Sequence, residues 1–167
     1  QVAQPAFAST TVNLGNVRVG GTAQQAVGIT NTNVAPAGFQ EGLSASIGGA
    51  TGEISANGNF TNLAAGGTNN SALVVGLNTA TAGARTGSAT VNLVSTGVGT
   101  SGLADLGLGT QTINVSGNVY QVAAGQLNTA SLNFGTVQVG QSVSQLLSIS
   151  NIATGAAGYV EDLNARF

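Results

Sequence analysis

An internal repeat constrains the fold of this chain more than any other feature. Residues 11–47 align without a gap to residues 131–167, at an offset of 120, and residues 1–3 recur as residues 121–123. Identical pairs in this alignment include Asn13/Asn133, Gly15/Gly135, Val17/Val137, Val19/Val139, Gly20/Gly140, Gln25/Gln145, Ile29/Ile149, Asn31/Asn151 and Glu41/Glu161. Self-similarity at a fixed spacing is typical of tandem structural units. We therefore predict one complete unit over residues 1–120 and the first third of a second over residues 121–167.

Within one unit, apolar residues alternate with small or polar residues in short runs that Gly, Asn and Ser separate. Such alternation is typical of half-buried β-strands, and no stretch of roughly 12 residues keeps a helical period. Seven or eight short strands in a unit of this length predict an all-β fold, an immunoglobulin-like β-sandwich. The runs are Val27 and Ile29; Leu73, Val75 and Leu77; Ala89, Val91 and Leu93; and Ile113, Val115 and Val119.

Glycines predict where the strands bend and stop. Asn57-Gly58 is a favourable tight-turn dipeptide. Gly15 lies between apolar pairs and is expected to mark a kink or bulge where the first strand changes sheet, as is Gly135 in the second unit. Gly20 and Gly140 are expected to end that strand. Residues 97–102 match G-x-G-x-x-G, but the helix and the later acidic residue of a dinucleotide site are missing, which favours a loop between strands.

The composition excludes most catalytic chemistry. The 167 residues include no His, Cys or Lys and only three Arg. Nucleophile–histidine systems, His or Cys metal sites and lysine Schiff bases are therefore impossible. Three arginines are too few for a phosphate-binding surface, so nucleic acid is not an expected partner. We predict a protein without enzymatic activity, catalytic residues, resident metal or cofactor.

The few carboxylates are better explained by structure than by chemistry. Glu41 and Glu53 are the only pair in the first unit that could flank a glycosidic bond. Because Glu41 recurs as Glu161, we expect it to have a structural role, such as bonding to the region of Arg18 or Arg166. Glu161-Asp162 with Asp105 could supply oxygen ligands to calcium, but their spacing matches no calcium loop. These acids are expected to face solvent.

The charge balance bears on where the protein works. Charged residues make up only 5% of the chain, hydrophobic residues 42%, and the net charge is −2, which favours a folded protein over a disordered one. A surface this poor in charge suits an assembled or extracellular protein, although drift in a low-lysine secretome would give the same composition. The sequence contains no apolar run of about 18 residues, so it predicts no membrane-spanning helix. The start at Gln1 is expected of a mature, secreted chain, so we predict an extracellular or cell-surface location.

Several segments resemble a known family. Residues 14–20 read Leu-Gly-Asn-Val-Arg-Val-Gly and are followed eleven residues later by Asn31, which resembles the opening of ASH-like (Hydin-like) immunoglobulin-type repeats. Residues 63–71, 75–79 and 115–120 are similar to segments of the choice-of-anchor D domain proteins, a group that occurs in tandem on secreted bacterial proteins. The resemblance covers nearly the whole chain. It implies an all-β sandwich and a surface location, and it implies no catalytic residues.

The second unit poses a structural problem, because a third of a sandwich cannot bury both its faces. Either the sequence is a fragment of a longer tandem array, or the extra strands complete a sheet on a neighbouring molecule. Addition of a strand to an open edge is a known mode of assembly, and head-to-tail contacts that do not close produce filaments. Low charge and long edges without Lys favour the second explanation.

We therefore predict a structural protein, a homopolymeric subunit of a bacterial extracellular filament or surface layer, assembled head to tail by β-strand addition. The strand edges in residues 11–31 and 131–151 would carry the contact. The predicted interface residues are Val17, Val19, Val137, Val139, Leu147 and Ile149. The alternative is a cell-surface adhesin or carbohydrate-binding module in a tandem stalk, with a surface glycan as its partner.

Overall fold

The computed structural model describes residues 1–166, and every regular element in that range is a β-strand. The strands are β1 (Pro5–Phe7), β2 (Thr11–Arg18), β3 (Gln24–Ala26), β4 (Ile29–Asn31), β5 (Gly42–Gly52), β6 (Ile54–Asn57), β7 (Asn59–Leu63), β8 (Thr68–Asn69), β9 (Val74–Leu77), β10 (Gly83–Thr96), β11 (Leu106–Tyr120), β12 (Gly125–Leu127) and β13 (Ile149–Asn151). The first 120 residues thus hold eleven strands, where seven or eight were predicted. The expectation of short strands is wrong for β10 and β11, which have 14 and 15 residues.

The strands of the first repeat form one large sheet and two small ones. The large sheet has the order β2-β11-β10-β5-β7, and the small sheets have the orders β3-β9-β6 and β1-β4-β8. The longest pairing in the large sheet is the antiparallel one between β10 and β11, and β2 pairs in parallel with β11. Residues from all three sheets share one hydrophobic core, so the sheets pack face to face. The predicted fold class, an all-β immunoglobulin-like sandwich, is confirmed.

The predicted alternating runs form this core. Val91 and Ile113 face inward from the central strands of the large sheet, and Val75 faces them from the small sheet. Each of these side chains is fully buried, as the alternation of a half-buried strand requires. The other buried members of the predicted runs are Leu73, Leu77, Ala89, Leu93, Val115 and Val119.

One predicted strand is divided. Val27 and Ile29 are both buried as expected, but β3 ends before Val27 and β4 begins at Ile29. β3 pairs with β9, whereas β4 pairs with β1 and β8, so the chain passes from one small sheet to the other at this point. Glycine suits position 28 because the chain passes close to Asn70 there. A Cβ at this position would lie only 2.7 Å from Oδ1 of Asn70.

Gly15 marks a bulge, as predicted, but not a change of sheet. Its φ is +67°, and the register between β2 and β11 shifts around it, between the pairs Asn13–Ser116 and Asn16–Asn118. Because β2 pairs with β11 on both sides of the bulge, the whole strand stays in the large sheet. The strand ends at Arg18, two residues before Gly20, as expected.

The Asn57-Gly58 connection joins strands of different sheets rather than two partners of a hairpin. β6 pairs with β9 in a small sheet, and β7 pairs with β5 in the large one. Gly58 has a φ of +119°, and a Cβ at this position would overlap the carbonyl oxygen of Ala72. The glycine-rich residues 97–102 lie in the connection between β10 and β11, which agrees with the predicted loop.

Candidate assembly interface

The described residues 1–166 contain no group of three or more acidic side chains that could hold a metal ion. Asp105, one of the candidate calcium ligands, is exposed in the connection before β11. Glu53 accepts a hydrogen bond from Nδ2 of Asn78 at 3.2 Å. Among these residues there is also no helix long and apolar enough to cross a membrane.

Glu41 has a structural role. Its Oε2 accepts a hydrogen bond from Oγ of Ser95, and its Oε1 accepts one from Oγ of Ser101, each at 2.7 Å. These two hydroxyl donors, Ser95 first, hold the pKa of Glu41 below its usual range because they stabilise the charged form. Ser95 also accepts a hydrogen bond from the backbone N–H of Ala3. Glu41 thus connects the chain start, the end of β10 and the loop that follows.

The predicted arginine partner is correct for Glu161 and wrong for Glu41. Nε of Arg18 lies 2.8 Å from Oε1 of Glu161, and this carboxylate raises the pKa of Arg18 by a hydrogen bond and by its charge. Glu41 occupies the same repeat position but bonds to the serines of its own repeat.

Asn31 organises the first repeat, and Asn151 repeats its contacts. Oδ1 of Asn31 accepts the N–H of Gln4 at 3.0 Å, and Nδ2 donates to the carbonyls of Glu41 and Leu63, each at 3.1 Å. In the second repeat, Oδ1 of Asn151 accepts the N–H of Ala124 at 3.0 Å, and Nδ2 donates to the Glu161 carbonyl at 3.0 Å. Each donor and acceptor in this second set is shifted by 120 residues from the first.

The backbone of the second repeat also follows that of the first. β12 pairs with β13 in the register of β1 and β4, so that Leu127 faces Ile149 as Phe7 faces Ile29. Gly135 has a φ of +65°, close to the +67° of Gly15. In both glycines the N–H donates a hydrogen bond to the side chain of the Asn two residues earlier. Local contacts of the first repeat therefore recur in residues 121–166.

Within the described residues 1–166, the counterparts of β2 and β3 in the second repeat are not paired with other strands. In the first repeat, β2 pairs with β11 and β3 pairs with β9. Residues 131–148, which correspond to β2, β3 and their connections, form no regular strand. Apolar side chains of the second repeat are therefore more exposed than their counterparts in the first. Leu132 is 37% exposed and the corresponding Val12 is 4% exposed, and Ile149 is 37% exposed and the corresponding Ile29 is 1% exposed. The exposed large apolar residues between 121 and 152 are Val122, Leu127, Leu132, Phe134, Val137, Val139, Val143, Leu146, Ile149 and Ile152.

The six predicted interface residues fall into two groups. Val17 lies on the edge strand β2 and packs half-buried against the core. Val19 follows that strand and is also half-buried, and its N–H donates to the carbonyl of Tyr120 at 2.9 Å. The other four residues belong to the second repeat, where Leu147 is half-buried and the rest are exposed: Val137, Val139, Leu147 and Ile149.

One end of the second repeat is held against the first. Arg18 of the first repeat pairs with Glu161 of the second. Within the second repeat, the N–H of Gln121 donates to the carbonyl of Tyr159 at 2.8 Å, and the N–H of Glu161 donates to the carbonyl of Gln121 at 2.9 Å, which fixes Tyr159 beside Tyr120. The rings of Tyr120 and Tyr159 lie 5.5 Å apart between centroids, a separation typical of interacting aromatic pairs. The sequence analysis missed this junction, although Phe39 and Tyr159 share a repeat position and signalled an aromatic there.

Comparisons with known proteins add little beyond the fold. No protein-family description matches the sequence, and no curated protein matches it. Among solved structures, the chain is similar to an ASH / PapD-like domain of human CEP192 (PapD-like domain 7), with a TM-score of 0.49 and 8% sequence identity. The similarity covers 72% of this chain and 87% of that chain. The fold assignment rests on the strands and sheets described above, and the resemblance to choice-of-anchor D proteins stays a prediction.

Proposed function

We propose that this chain is a non-enzymatic structural protein that assembles with copies of itself into a bacterial extracellular filament or surface layer. Residues 131–149 of one copy would add as β-structure to the edge strand β2 of the next copy. The observation that supports this is the exposure of apolar side chains in the second repeat, such as Leu132, Phe134 and Ile149, at positions that are buried or half-buried in the first. An apolar strand segment without a partner is a candidate for strand addition.

The edge strand β2 suits such a contact. It stands at the end of the large sheet, so one of its sides is paired with β11 and the other carries no strand. The added segment has the same pattern as β2, with Leu132 and Val137 at the positions of Val12 and Val17. Parallel addition in register would align the bulge at Gly135 with that at Gly15 and turn the apolar side chains toward the core.

The energetics predict assembly that depends on concentration. Leu132, Phe134 and Val137 are 37%, 46% and 38% exposed, so burying the rest of all three would contribute roughly 2–4 kcal/mol, since a fully exposed side chain contributes about 1.5–3 kcal/mol. Association of two molecules costs about 4–15 kcal/mol in lost freedom of motion. These three side chains therefore do not offset the cost of association by themselves, and burial of the neighbouring apolar residues Leu146 and Ile149 would be needed as well.

The geometry of the contact favours a filament. The donor segment belongs to the second repeat and the acceptor edge to the first, so each copy uses two different surfaces. Such head-to-tail contacts give open filaments when the rotation between copies does not close a ring. Secretion, the cell-surface location and membership of the choice-of-anchor D group belong to the same proposal, and they are supported by the charged content of 5% and the absence of Lys.

The experiment compares the full chain with donor-segment variants by sedimentation and by negative-stain electron microscopy at neutral pH. We expect filaments or sheets from the full chain at high concentration and dispersed particles from Phe134→Lys and Val137→Lys, since a buried unpaired charge is costly. Val98→Lys is the control, because Val98 is also exposed but lies in the loop between β10 and β11.

Two results would contradict the proposal. One is a full chain that stays dispersed at all concentrations, which would indicate that the partners of residues 131–149 belong to a longer array of the same polypeptide. The other is assembly of a chain ending at Tyr120, which has no donor segment and is expected to stay monomeric.

A further inference from the structure

The outward face of the large sheet is unusually neutral. Along the central strands β10 and β11, the outward positions are occupied by Ser, Thr and Asn, without a charged side chain from Thr110 to Asn118 or from Thr86 to Asn92. Cross-strand pairs on this face include Thr90 with Thr112 and Asn92 with Thr110. Surfaces of soluble domains usually mix in charges of both signs. A partner of this face would therefore be uncharged and rich in hydrogen-bonding groups.

A groove runs over β5 on this face. The outward residues of β5 are small, namely Ser44 and Ser46, and β5 lies between β7 and β10. Asn92 faces Ser46 from one side, and Asn59 faces it from the other. Because larger side chains flank the row of serines, the space above the serines forms a groove of about 230 Å³. The remaining residues that line it are Ala45, Phe60, Thr61 and Val94.

We propose that this groove binds a neutral polysaccharide chain. Asn59 and Asn92 are both exposed, so their amides are accessible to a ligand. An amide donates and accepts, which matches sugar hydroxyls that do both. Val94 offers an apolar contact for the C–H groups of a sugar ring, and the lack of charge disfavours an ionic ligand.

The arrangement of strands argues against a peptide in the groove. A peptide strand binds by pairing with an open sheet edge, but β5 is paired on both sides, with β10 and with β7. A second copy that assembles through β2 would also leave the groove open, since two strands, β11 and β10, separate β2 from β5. The binding site is thus independent of the proposed assembly.

The test measures depletion of the full chain from solution by insoluble neutral polysaccharides, namely cellulose, chitin, xylan and β-1,3-glucan. Polygalacturonate is the anionic comparison. We expect binding to at least one neutral polysaccharide and none to polygalacturonate. Asn92→Ala is expected to weaken that binding at least tenfold, and Ser46→Phe, which fills the groove floor, to abolish it. Thermal unfolding of each variant shows whether the fold is kept.

The matched control is Asn114→Ala, which removes an exposed amide from the same sheet face outside the groove. Its binding should stay within twofold of the unaltered chain. The proposal is overturned if none of the four neutral polysaccharides binds, if Asn114→Ala weakens binding as much as Asn92→Ala, or if polygalacturonate binds equally well. Altered sedimentation of Ser46→Phe with unchanged binding would instead assign the groove to contacts between copies of the chain, and it would equally overturn the proposal.

Discussion

Replacement of Asn31 by Ala tests whether a buried amide holds the first repeat together. The Asn31 side chain is 0% exposed and joins three separate parts of the chain. Its Oδ1 accepts from the N–H of Gln4 before β1, and its Nδ2 donates to the carbonyls of Glu41, just before β5, and of Leu63, the last residue of β7. The alanine variant removes these three bonds and also the one that Oδ1 accepts from the N–H of Asn33 at 3.4 Å.

The size of the effect follows from burial. A buried polar group that loses its partner costs about 1–3 kcal/mol, so three such groups predict a loss of roughly 3–9 kcal/mol in the free energy of unfolding. Domains of this size are stable by about 5–15 kcal/mol, so the loss is a large fraction of the total. Asn151 makes the corresponding bonds to Ala124 and Glu161 but is exposed, and water can replace its amide. Asn151→Ala should therefore cost less than about 1 kcal/mol.

Urea unfolding followed by far-ultraviolet circular dichroism gives both values on the same chain. The midpoint should fall strongly for Asn31→Ala and hardly at all for Asn151→Ala, without a change in the slope of the transition. Equal costs for the two variants would refute the reasoning, because they would show that burial does not decide the contribution of this amide. A cost below about 1 kcal/mol for Asn31→Ala would refute it as well.

Two further predictions concern Glu41 and Gly58. Because the serine hydroxyls hold the folded-state pKa of Glu41 below its ordinary value of 4.5, its stabilising contribution is fully present above that value and is lost as the pH falls through the folded-state pKa. Glu41→Gln should thus lose less stability than the unaltered chain between pH 7 and pH 3 in urea unfolding, and an equal loss would contradict the role of the carboxylate. Gly58→Ala should cost more than about 2–3 kcal/mol, because strained backbone and overlap with the Ala72 carbonyl add together. Gly66→Ala, with a φ of +76° and nothing within 4 Å of its Cβ, should cost only about 1–2 kcal/mol, and equal thermal shifts for the two variants would contradict the role of the overlap.

Much of the fold could be predicted because it depends on local pattern. Alternation along residues 89–93 and 113–115 indicated strands whose apolar side is buried, and both are central strands of the large sheet. Recurrence of Asn31 and Glu41 marked positions that the fold needs. Their contacts were not predictable, since the serine partners of Glu41 lie 54 and 60 residues away.

The sequence by itself determined the repeat, the β-class of the chain and the absence of histidine, cysteine and lysine chemistry, because these follow from composition and short-range periodicity. Only the tertiary structure decided which sheet each strand joins. Gly58 illustrates this, because the Asn57-Gly58 dipeptide predicts a turn. Whether that turn connects two strands paired with each other or two strands of different sheets depends on the pairing of β7 with β5 and of β6 with β9, which are distant in sequence. The groove over β5 has the same origin, because it exists only where the register places Ser46 between Asn59 and Asn92. Register is a long-range property, set when whole faces are buried together, and a local pattern does not contain it.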